Sequence, residues 1–106
     1  MENKLKELER EKEIIHRKIV QTYIKILDLS EMNMNTYHNI PMGYGLTGEI
    51  SKEVQNKFKA IDQRKKCIRK LIRRRRGYTK QEMRLKFEIE NLKEIINNEL
   101  EIKDIF

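Results

Sequence analysis

The chain has no tryptophan, one cysteine, one proline and four glycines, and aromatic residues make up only 7% of its 106 positions. Each shortage excludes something. A single cysteine, Cys67, closes no internal disulfide, which rules out a disulfide-stapled scaffold and suits the reducing cytoplasm. No apolar run exceeds three residues, so no segment reads as a membrane-spanning helix. The first residues, MENKLKELEREKE, lack the apolar stretch of a secretory signal. His16 and His38 lie 22 positions apart and offer no metal-ligand spacing with the lone thiol. Residues 43–48, GYGLTG, match the dinucleotide fingerprint in letters alone. No strand precedes them and the chain is too short for the fold, so they read as a flexible loop, and no cofactor is expected. The carboxylates fall on solvated helix faces with no apolar pocket to set their pKa values apart, so an enzyme is the poorest reading.

What is abundant is charge, 39% of residues, and it is segregated. Residues 1–56 carry a net −1, residues 57–86 a net +12 and residues 87–106 a net −4, within a total of +7. The stretch RKKCIRKLIRRRR, Arg64 to Arg76, places nine cations in thirteen residues. Like charges so concentrated repel one another and attract a counter-charged partner. Four consecutive arginines sharpen the point, because guanidinium forks engage phosphate or carboxylate oxygens bidentately and lysine does not. The bland alternative is a solvated helix face paired with the acidic ends of the same chain.

Apolar periodicity accounts for the rest. Leu5, Leu8, Ile15, Ile19, Ile26 and Leu29 form one helical stripe, interrupted by Lys12 and Thr22, and predict a helix over residues 3–32. Val20, Tyr23, Ile24 and Leu27 widen its second half beyond what one neighbouring helix covers, which points to a homodimer. Asn33 to Gly48, with Pro41 and three glycines, predicts a loop carrying Tyr37, His38, Met42 and Tyr44. A second helix is expected over 49–76, capped by Thr47 or Ser51, with Ile50, Val54, Phe58, Ile61, Ile68, Leu71 and Ile72 on its apolar side. Arg64 and Arg75 fall near that stripe and must snorkel or find partners. Gly77 after the arginines reads as a C′ glycine. Thr79 and Glu82 read as a capping box, with Tyr78 and Met83 as its staple. A third helix then runs over 80–104, with Leu85, Ile89, Leu92, Ile96 and Leu100 on one face.

The expectation is therefore an all-α fold of three long antiparallel helices, an elongated bundle or coiled-coil hairpin forming one domain over residues 1–106. The expected function is non-enzymatic binding of nucleic acid, DNA or RNA. Lys66, Arg69, Lys70, Arg73, Arg74, Arg75, Arg76, Lys80 and Arg84 would contact phosphates at the helix joint. The alternative is a protein-interaction module, for example a phage-encoded inhibitor of a nucleic-acid enzyme. It would dock its basic patch on an acidic protein surface, with Tyr37, Met42 and Tyr44 as apolar anchors.

Overall fold

The computed structural model describes residues 2–105 except 42, 44, 46 and 47, and of residues 102–105 the backbone alone. Helix α1 spans Glu2–His38 and helix α2 spans Lys52–Ile105, and among the described residues there is no strand. The all-α class holds, but the described residues form two helices and not three. Neither is long and apolar enough to cross a membrane.

The seam of α1 explains its length. Leu5, Leu8, Lys12, Ile15, Ile19, Thr22, Ile26, Leu29, Asn33 and Thr36 are all buried or half-buried and follow one another at alternating steps of three and four. That is a heptad rhythm, in which every seam residue faces the same neighbour. Lys12 and Thr22 belong to the stripe that they appeared to interrupt. The rhythm runs on through Asn33 and Thr36, so the helix continues to His38 and the expected loop at 33–48 begins six residues later. Tyr37 and His38 thus lie on α1. Past it, Gly43 and Gly48 adopt φ values of 75° and 80°, a region closed to most side chains, and Gly48 N–H donates to the Gly45 carbonyl. Ser51 Oγ accepts from Val54 N–H at 3.2 Å and caps α2, while Thr47, the other candidate, is outside the described residues.

The expected joint at Gly77 is absent. Helix α2 passes through it because the apolar stripe keeps phase: Val54, Ile61, Ile68 and Leu71 before it, Tyr78, Leu85, Ile89, Leu92 and Ile96 after it, all buried or half-buried. A cap stops a helix only when the following segment gains by turning away, and here it gains by continuing. Thr79 Oγ1 donates to the Arg75 carbonyl at 2.9 Å, the bond of a mid-helix threonine and not of an N-cap. Met83 is 67% exposed and staples nothing. Gly77 does not have a positive φ, and a Cβ placed on it would meet nothing within 4 Å. Gly77→Ala should therefore stabilise the protein by about 1 kcal/mol and raise Tm by several degrees in a calorimetric scan. A left-handed C′ glycine would give the opposite sign.

By compactness the chain forms two units, one of residues up to Val20 with those from Arg75 onward, the other Gln21–Arg74. In the first, Leu8 and Ile89 are buried, and Glu9 pairs with Lys93 while His16 Nδ1 lies 3.0 Å from Glu82 Oε2, so the two segments run antiparallel. In the second, Val54, Ile61 and Leu71 are buried, and contacts from Asn33 to Ile61 and from Asn39 to Lys57 show the same antiparallel sense. Its seam is partly polar. Asn33 is buried, its Nδ2 donating to the Ile61 carbonyl at 3.4 Å while its Oδ1 finds no partner among the described residues. Arg64 Nη1 donates to Thr36 Oγ1 at 2.7 Å and to the Met32 carbonyl at 3.4 Å, which is how this cation is accommodated beside the stripe.

Candidate functional site

All nine cations singled out from the sequence lie on α2, and every one is exposed. In the unit Gln21–Arg74, Lys66, Arg69, Lys70, Arg73 and Arg74 fall within an arc of about 140° at 100° per residue, opposite the buried Ile61 and Leu71. Lys59 extends this face seven residues earlier. In the other unit, Arg76, Lys80 and Arg84 share the outward face of α2, away from the buried Ile89. Their common cause is the heptad: with seam positions taken by apolar or packed polar side chains, cations occupy what remains.

Several ion pairs among the described residues lie away from these cations. His16 meets Glu82, Arg17 meets Glu13, Lys57 meets Glu53 and Lys93 meets Glu9. Among the described residues, no carboxylate pairs with Lys66, Arg69, Lys70, Arg73, Arg74, Arg76, Lys80 or Arg84. The acidic residues of the last part of α2 follow this patch in sequence without neutralising it. Unpaired guanidinium and ammonium groups in this density hold a strong positive potential, able to attract phosphate or carboxylate oxygens. No family model matches the chain, nor does any curated protein or solved structure.

Two residues on the same outward face went unassigned as site residues. Met83 is 67% exposed and Phe87 65% exposed, and at helical spacing they lie between Arg76, Lys80 and Arg84. The signal is present in the sequence, since Lys80, Met83, Arg84 and Phe87 recur at steps of three and four, but the capping-box reading assigns Met83 to a staple. Of the three expected anchors, Tyr37 lies on the last turn of α1, exposed, with the Lys65 ammonium 5.8 Å from its ring centroid and 3.3 Å from its hydroxyl. Met42 and Tyr44 lie outside the described residues. Cys67 is exposed, and no group of residues able to hold a metal ion occurs among those described.

Proposed function

We propose that the protein is a small, non-enzymatic regulatory protein of the cytoplasm that binds nucleic acid through the basic outward side of α2. The observation that carries this reading is the set of eight exposed cations without a carboxylate partner among the described residues. A patch neutralised by its own chain would release no counterions on meeting a phosphate backbone, whereas this one would. Regular helical spacing with few aromatic side chains suits contacts to the backbone more than reading of base edges.

Affinity should therefore fall steeply with salt. For about five duplex phosphate contacts, the log–log slope should lie near −4 to −5. Replacing Arg73, Arg74, Arg75 and Arg76 by glutamine keeps helix propensity and removes four charges. By circular dichroism that variant should remain helical. It should lose affinity about equally for all sequences, with a slope shallower by several units. A wild-type protein that ignores duplex and single strands alike at about 100 mM salt would overturn the proposal.

The exposed Met83 and Phe87 favour a second reading, docking on an acidic protein surface, because apolar anchors ringed by cations suit an interface core and its rim. Under that reading Phe87→Ala abolishes capture of a protein partner, and nucleic-acid affinity at moderate salt is absent from the start.

A further inference from the structure

We propose that the unit Gln21–Arg74 carries a second helix-packing face, and that its occupant is the same face of a second copy of this chain. Along α1, Tyr23, Leu27, Ser30, Met34 and Tyr37 follow one another at steps of four, three, four and three. The seam against α2, Thr22, Ile26, Leu29, Asn33 and Thr36, has the same rhythm displaced by one residue. A stripe with that rhythm is shaped to receive another helix along its length. Here Tyr23, Leu27, Met34 and Tyr37, with Ile24 beside them, are 44–61% exposed. Ile72 joins them from α2: it lies seven residues beyond Lys65, which touches Tyr37, and so stands on the same edge.

Area and charge identify the occupant. Six large apolar side chains about half exposed leave on the order of 600 Å² per copy, and with a charged rim this approaches the roughly 800 Å² per partner of a stable interface. The outer edge of α1 beside this stripe carries Glu31, while the edge of α2 carries Lys65 and Arg69, with Asp62 about two turns before Arg69. The contacts Asn33–Ile61 and Thr36–Arg64 set Glu31 at about the level of residues 63–69, so acid and base stand at matching heights. Laying α1 on α1 of a second copy would set acid against acid. A two-fold axis parallel to the helices instead places each α1 against the partner copy's α2, antiparallel, and sets both acidic edges against basic ones. The match is reciprocal, as an isologous interface requires, and gives a four-helix layer of the bundle type. Lys66, Lys70 and Arg74 lie farther round α2, and Arg69 is the patch cation that the two surfaces share; association is read on nuclease-treated protein, so either reading can fail alone.

The test is sedimentation equilibrium or light scattering on nuclease-treated full-length protein. The wild type should show twice the 12.9 kDa chain mass at micromolar concentration. Leu27→Glu and, separately, Met34→Glu change exposed residues and should leave helicity intact by circular dichroism. Each should weaken association roughly a hundredfold and return the mass towards 12.9 kDa. Glu31→Lys should weaken it up to about fivefold, and Glu31→Lys combined with Arg69→Glu should restore it. A wild type that stays at 12.9 kDa at high micromolar concentration overturns the proposal, as does a Leu27→Glu variant that keeps the doubled mass. A charge-swapped double variant no tighter than Glu31→Lys overturns the crossed arrangement.

Discussion

Shortening Ile61 to alanine should cost about 2–5 kcal/mol, the largest loss expected from any single truncation in the chain. Ile61 is 1% exposed, the most completely buried large side chain among the described residues, and few others are buried at all. A helix pair has only its seam for a core. Each seam residue therefore carries a larger share of stability than it would in a globular domain, where a dozen neighbours dilute a cavity. A chain of this size is stable by about 5–15 kcal/mol, so Ile61→Ala should shift a urea midpoint far down and leave a population unfolded at physiological temperature. Ile72→Ala, on an exposed edge of the same helix, should cost much less. Equal losses for the two would mean that the seam does not lie where the structure puts it.

Gly77→Pro should be nearly as damaging, at about 3 kcal/mol or more, because proline removes a backbone donor in mid-helix and its ring collides with the preceding turn. With Gly77→Ala the position becomes a two-sided test: alanine raises the melting temperature and proline collapses it. Were Gly77 a joint between helices, the order would invert, since an open turn tolerates proline and a left-handed residue resists alanine. Far-UV circular dichroism adds a second readout, as an interrupted α2 loses helical signal that an intact joint would never have had.

The contrast shows what was legible in the sequence. Apolar side chains gave most of the seam: Leu5, Leu8, Ile15, Ile19, Ile26 and Leu29 in α1, and Val54, Ile61, Ile68, Leu71, Leu85, Ile89, Leu92 and Ile96 in α2, are all buried or half-buried, whereas Ile50, Ile72 and Leu100, expected on the same faces, are exposed. Polar members of the same stripe were misread as its end. Asn33 and Thr36 look like loop residues until something across the seam packs over them, and no composition rule reveals that neighbour. The joint at Gly77 failed for a related reason. Gly77, Thr79 and Glu82 satisfy cap chemistry over a few residues, whereas the phase of the stripe is set over forty, and the longer signal prevails. Among the site residues, exposure of the nine cations was legible, because charged side chains stay in water unless paired. That eight of them, Arg75 apart, have no carboxylate partner among the described residues was not, because it depends on distances between residues far apart in the chain.

A heptad seam has a weakness that a globular core lacks. Within the unit Gln21–Arg74, sliding α1 by seven residues keeps the rhythm of three and four and sets Ile26 and Leu29 where Asn33 and Thr36 stood, so that misaligned pair is no less apolar than the right one. Arg64 breaks this degeneracy. In register it finds Thr36 Oγ1 and the Met32 carbonyl. Displaced by seven in one direction it would press its charge against Leu29, and in the other it would pass the end of α1 at His38. An unpaired guanidinium against an apolar seam is costly, so the slipped pairing of these two segments is disfavoured. The cation that looks like a packing flaw penalises the wrong register of this unit.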